Sequence, residues 1–71
     1  MTMIEKKANA FYLLQTKVHI FLNNGWWKRG YVKDVRTEFL ILDEILEGEQ
    51  PIFFEEIKSI EAYTPKKEEI F

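Results

Sequence analysis

The sequence predicts a small all-β barrel preceded by one helix. Three observations carry this expectation. Residues 17–42 read as three strands in succession with tight turns between them. Apolar residues at helical spacing stop at about residue 15, and period-two alternation or short apolar runs replace them. Short strands and short connections within 71 residues then require a strongly bent five-stranded barrel rather than an open sheet.

Met1 to Gln15 reads as the helix. Thr2 followed by Glu5 is a capping-box arrangement, in which each side chain satisfies a backbone N–H of the other. Ile4, Ala8, Phe11 and Leu14 or Gln15 form a stripe at spacings of three and four, widened by Tyr12 and Leu13. A helix this short is marginal alone in water, so it is expected against the sheet or a neighbouring subunit. A membrane-surface role is the sharper alternative, and the weakly basic character of the helix argues against it.

In the first strand Val18, Ile20 and Leu22 alternate with Lys17, His19, Phe21 and Asn23, so one side is apolar and His19 is an outward residue. Asn24-Gly25 predicts a type I′ hairpin turn, since both residues accept φ > 0. The second strand spans Trp26 to Val35 and pivots at Gly30, where an interior glycine marks a bend or a close backbone approach. After a turn at Arg36-Thr37-Glu38, the run Phe39-Leu40-Ile41-Leu42 is apolar on both faces, as in a buried central strand. Asp43 to Gln50 reads as a polar loop turning at Gly48. Pro51 suits the start of a short strand through Ile52-Phe53-Phe54, because its missing N–H does no harm there. Glu55-Glu56 reads as one 3₁₀ turn, and Ile57 to Tyr63 as the fifth strand with Ile57 and Ile60 packed. The expected domain is 1–63, with helix 1–15 and barrel 17–63. Residues 64–71 are expected to be a disordered tail.

A 71-residue chain buries only about 60% of its unfolded surface, so one core is marginal and oligomerisation is a common remedy. There is no cysteine and only one histidine, which excludes disulfide staples and thiolate or His-rich metal sites. No P-loop, Ser-His-Asp set or metal-ligand spacing occurs, and the adjacent Glu55 and Glu56 diverge with no nucleophile nearby, so neither catalysis nor a cofactor is expected. No apolar leader or membrane-spanning run is present, and a cytoplasmic location is the default expectation. Residues 1–36 carry seven Lys/Arg against two acids, whereas 37–71 carry three Lys against ten acids. Such a division suits a basic ligand-binding face or head-to-tail packing of subunits; solvated surface charge is the plainer alternative.

Asn9-Ala10, Val18-His19-Ile20-Phe21-Leu22-Asn23-Asn24-Gly25, Gly30-Tyr31-Val32, Phe39-Leu40-Ile41-Leu42 and Phe53-Phe54-Glu55-Glu56-Ile57-Lys58-Ser59-Ile60 together resemble the Sm-like (LSm) family, closest in pattern to its bacterial RNA-chaperone branch. The resemblance covers about residues 9–63 and implies an SH3-like barrel of Sm type. It also implies a homo-oligomeric ring, of a subunit number the sequence leaves open, in which the fourth strand of one subunit pairs with the fifth of the next. That pairing would remove two exposed edges. The implied partner is single-stranded RNA, with no membrane and no chemistry.

The resemblance also locates candidate sites. The positions that line the ring's pore in that branch read Thr37, Glu38, Phe54 and Glu55 here, and a pore ringed by Glu38 and Glu55 would repel phosphate. The helix positions that carry an arginine patch there read Tyr12, Leu13 and Gln15. The opposite face would carry Phe21, Trp26, Trp27, Lys28 and Arg29, with Tyr31 and Lys33 further along and Arg36 at the strand end, as stacking and phosphate contacts for RNA. Trp26 and Trp27 must point to opposite faces, so at most one is core, and Lys28 and Arg29 likewise alternate. Two functions stand on these residues: a ring binding single-stranded RNA through an aromatic-basic face, or a ring scaffold and protein-interaction module that binds none.

Overall fold

The computed structural model describes residues 2–64; the expected disordered tail lies, but for Thr64, outside them. Helix α1 (Met3–Leu14) is followed by β1 (Lys17–Leu22), β2 (Trp27–Val35), β3 (Phe39–Glu44) and β4 (Gly48–Phe53). A single 3₁₀ turn (Phe54–Glu56) then leads into β5 (Ile57–Ala62). All five strands form one antiparallel sheet in the order β4-β3-β2-β1-β5, which leaves β4 and β5 as its edges.

The helix starts where its cap predicts. Glu5 N–H donates to Thr2 Oγ1 at 3.2 Å, and Thr2 N–H donates back to Glu5 Oε1 at 3.1 Å. It ends on Gln15, which sits in the left-handed region at φ 55 while Thr16 N–H bonds to Phe11 O at 3.1 Å. Ala8 is fully buried, and Ile4, Phe11 and Tyr12 pack on the core around it. The apolar stripe therefore closes on Phe11 and Tyr12. Leu13 and Leu14 are exposed, because the left-handed cap turns the chain into β1 before a further contact forms.

The strand pattern delivers the core directly. Val18, Ile20, Val32, Leu40, Leu42, Ile52, Ile57 and Ile60 are buried and contiguous with Ala8. Each is the inward member of a period-two alternation, apart from the Ile57–Ile60 spacing. A bulge in the β1–β5 pairing between Phe21 and Leu22 accommodates that spacing. A second bulge shifts β2 against β3 between Val32 and Asp34. Bulges sharpen the local twist and bend the sheet around its core. At Gly30 an added Cβ would collide with the Asp43 carbonyl oxygen and lie 2.9 Å from the carbonyl carbon, so glycine lets β3 cross β2 there.

Two turns depart from the sequence expectation. The β1–β2 loop has Gly25 alone at positive φ, 92°, with Asn24 in the ordinary negative region. Leu22 N–H bonds to Trp26 O at 2.8 Å, and Gly25 N–H bonds to Leu22 O at 3.1 Å. This is a three-residue loop closed by a glycine bulge, not a two-residue type I′ turn. Asn24 Oδ1 accepts from Trp26 N–H at 2.9 Å, a bond that favours this alternative. The Asp43–Gln50 segment is also mostly strand. Asp43 and Glu44 pair with Glu49 and Gly48, leaving a turn of Ile45, Leu46 and Glu47. Glu44 Oε1 accepts from the N–H groups of Leu46 and Glu47 at 2.8 and 2.7 Å, which ties that turn.

Pro51 lies within β4, opposite Ile41, rather than at a strand start. Phe54 N–H donates to Glu38 O at 3.0 Å, making Phe39 and Phe53 a non-hydrogen-bonded pair. By alternation Ile41 and Pro51 are another, so the proline nitrogen faces the open edge and removes no bond from the β3–β4 ladder.

Candidate nucleic-acid interface

Burial of Val18 and Ile20 turns Lys17, His19 and Phe21 to the outer face of the sheet. Burial of Gly30 and Val32 does the same for Trp27, Arg29 and Tyr31. Register brings the two sets together, with Phe21 opposite Trp27, His19 opposite Arg29 and Lys17 opposite Tyr31. Tyr63 joins them from beyond β5, held by its N–H to Lys17 O at 2.8 Å.

These residues form a continuous aromatic and cationic platform. The His19 ring stacks on Phe21 at 4.4 Å, meets the edge of Trp27 at 4.8 Å and lies 5.9 Å from Tyr63. The Arg29 guanidinium sits 5.7 Å over Trp27 and 5.8 Å over Tyr63, and its Nη1 donates to the Tyr63 hydroxyl at 3.5 Å. Lys17 Nζ lies 4.6 Å from the centre of the same Tyr63 ring. Such cation–π contacts are each worth about 0.5–1 kcal/mol when exposed, enough to orient the cations without burying their charge. Among the described residues neither Lys17 nor Arg29 forms an ion pair with a carboxylate. Half-exposed rings flanked by unneutralised cations are the chemistry that accepts stacked bases and their phosphates.

Of the sequence candidates, Phe21, Trp27 and Arg29 fall on this platform. Trp26 is 72% exposed in the hairpin loop, so neither tryptophan belongs to the core. Lys28 lies on the other side of β2 and donates to Glu47 Oε1 at 3.3 Å. Arg36 pairs with Asp34 at 2.7 Å at the far end of the strand. Lys17, His19 and Tyr63 are the platform members that sequence reasoning missed. The signal for two of them was in the alternation itself, since they occupy every second position from Phe21. Tyr63 depends on how the chain leaves β5.

At the opposite end of the chain's charge division, Thr37, Glu38, Phe54 and Glu55 do converge. With Thr2, Ile4 and Glu5 they line a pocket of 440 Å³ beside the start of α1. Phe54 is half-buried against the core, while Glu38 and Glu55 are exposed. Three carboxylates and no cation line this pocket, and the helix N-terminus beside it is already occupied by the Glu5 cap. A neighbouring groove of 570 Å³, which shares Thr37 and Glu38 with that pocket and has Arg36 at its edge, runs along the outer side of β3 and β4, where Phe39 and Phe53 lie 5.3 Å apart with Ile41 beside them. Among the described residues no cluster of His, Asp or Glu is placed to hold a metal, and no helix is long and apolar enough to cross a membrane.

One helix followed by a bent five-stranded antiparallel sheet with β4 and β5 at its edges is the Sm-like fold. The chain matches the solved structure of the pleiotropic translational regulator Hfq with a TM-score of 0.72, covering 83% of this chain and 97% of that one at 20% sequence identity. Identity at this level shows a shared fold and no more. No protein-family model and no curated protein matches the sequence.

Proposed function

We propose that this chain is a non-enzymatic Sm-like protein that assembles into a ring and binds single-stranded RNA on the platform of Lys17, His19, Phe21, Trp27, Arg29 and Tyr63. The observation that carries the reading is the platform itself: four aromatic rings on one sheet face with two cations that, among the described residues, pair with no carboxylate. Each stacked base is worth about 1–3 kcal/mol, and repetition around a ring multiplies modest contacts. Assembly is supported by the two open edges, β4 and β5, and by the apolar groove of Phe39, Ile41 and Phe53 beside one of them. A cytoplasmic location accompanies this reading.

The alternative is a ring scaffold without RNA. It is favoured by the acidic pocket of Glu5, Glu38 and Glu55, where the phosphate backbone would meet like charge. Native mass spectrometry at low salt, with the protein alone and then with short oligoadenylate or oligouridylate, separates the two. The RNA reading expects a ring that takes up oligonucleotide and loses it in the Trp27→Ala, Arg29→Ala double variant. A ring that ignores both oligonucleotides establishes the scaffold, and a monomer at every concentration overturns the assembly.

A further inference from the structure

His19 is the only histidine in the chain, and it occupies the centre of the platform. Its ring packs with Phe21, Trp27 and Tyr63, and among the described residues its Nε2 is shut off from solvent with no hydrogen-bond partner. Buried polar atoms are ordinarily paired, and an orphan in a native structure calls for a reason. A core histidine would lie among aliphatic side chains. This one lies directly beneath the surface on which the ligand is proposed to stack.

The charged groups around it set the sign of any effect. From β2, Arg29 is its cross-strand partner. From β5, Glu61 is its partner on the other side, but the Glu61 carboxylate is held by Lys7 of α1 at 2.8 Å. From β1 itself, Lys17 stands two residues away over Tyr63. Tyr63 contributes a phenol oxygen that already accepts from Arg29. An imidazolium at this point would join two cations, and the carboxylate opposite it, Glu61, is engaged by Lys7. A phosphodiester chain lying across the platform supplies the missing counter-charge, so the protonated form gains more from the ligand than the neutral form does.

We infer that His19 makes polyanion binding on this platform proton-linked, so that single-stranded RNA binds more tightly as pH falls through the histidine range. The inference rests on the RNA reading above and adds its regulation. Linkage fixes the direction. A ligand that prefers the protonated state raises the proton affinity of the imidazole when it binds, and by reciprocity proton uptake raises the affinity for the ligand. Histidine changes charge between about pH 5 and 8, and at most one proton is taken up per subunit.

The test uses the single imidazole as its own reporter. NMR of the whole chain, with and without saturating oligouridylate or oligoadenylate, follows the His19 ring resonances from pH 5 to 8. The expected result is an upward shift of the titration midpoint in the complex. Binding measured in parallel should tighten about fivefold or more from pH 8 to pH 5.5, a typical coupling between linked sites. In His19→Gln that pH dependence should be lost, whatever the variant's affinity at pH 8. Oligonucleotide that binds without moving the midpoint overturns the proton linkage and leaves the RNA reading intact. Absence of binding at every pH overturns both.

Discussion

At the residue scale, the division of labour along Trp26-Trp27-Lys28-Arg29 follows from strand geometry. Trp27 and Arg29 share the outer face, Lys28 shares the other side with Gly30, and Trp26 belongs to the loop. The alternation was legible in the sequence, but which parity faces outward was not, because it depends on the length of the hairpin loop. Replacing Trp27 and Arg29 by alanine should abolish oligonucleotide binding with little change in melting temperature, since neither side chain is part of the buried core. Gly30 behaves oppositely. Gly30→Ala drives a methyl group into the Asp43 carbonyl and should cost up to about 3 kcal/mol, read as a lower urea midpoint. Glu47 gives a smaller test. A hydrogen bond from Gln50, and then the hydrogen bond and charge of Lys28, hold its carboxyl below the usual range. The stabilising contribution is therefore present at neutral pH and lost as pH falls through that lowered range. Gln50→Ala should raise the Glu47 titration midpoint in carboxyl-detected NMR.

At the element scale, the helix and all five strands could be read from periodicity, while the connections could not. Capping chemistry is local, so Thr2 and Glu5 located the helix start. Thr2→Ala should cost about 1 kcal/mol, measurable by thermal unfolding. The type of the β1–β2 turn was hidden because Asn24 satisfies both candidates, and its side-chain bond to Trp26 decides between them only once the loop is formed. The β3–β4 turn was hidden for another reason. Asp43, Glu44 and Glu49 are poor strand formers by composition, and the pairing of β3 with β4 overrides that preference. Asn23 links two of these irregular pieces. Its N–H donates to Glu56 O at 2.9 Å and its side-chain amide to Glu55 O at 2.9 Å, anchoring the 3₁₀ turn to the hairpin. Phe53→Asp places a charge in the apolar groove beside β4. If the proposed ring forms, this should dissociate it, read by sedimentation, without unfolding the subunit, because Phe53 is outward-facing.

At the scale of the whole molecule, part of the charge asymmetry of the sequence gathers in two places. Cations with aromatic neighbours occupy the outer face of β1 and β2, and carboxylates gather beside the helix start. Thr37, Glu38, Phe54 and Glu55, which the resemblance grouped, lie close together because they sit at turns whose positions the strand lengths determine; Thr2, Ile4 and Glu5 beside them come from the docking of the helix. The platform was only half legible, because it is assembled from cross-strand neighbours far apart in sequence. Oligonucleotide affinity should fall linearly on a log–log salt plot, with a slope of about −0.7 for each phosphate neutralised. Glu38→Gln with Glu55→Gln should raise that affinity if RNA passes near the pocket, and leave it unchanged if binding is confined to the platform. Fluorescence anisotropy reads both.

The outward nitrogen of Pro51 has a consequence for how copies meet. A plain edge strand offers a regular row of donors and acceptors, and such a row tolerates any incoming strand at any offset of two residues. Here the row has a gap near its middle. A strand seated on β4 with an acceptor aimed at that gap forfeits a bond, so the offsets cease to be equivalent and the edge works like a key with one filed tooth. The same gap that leaves the internal ladder untouched makes indiscriminate edge-to-edge growth of β4 self-limiting.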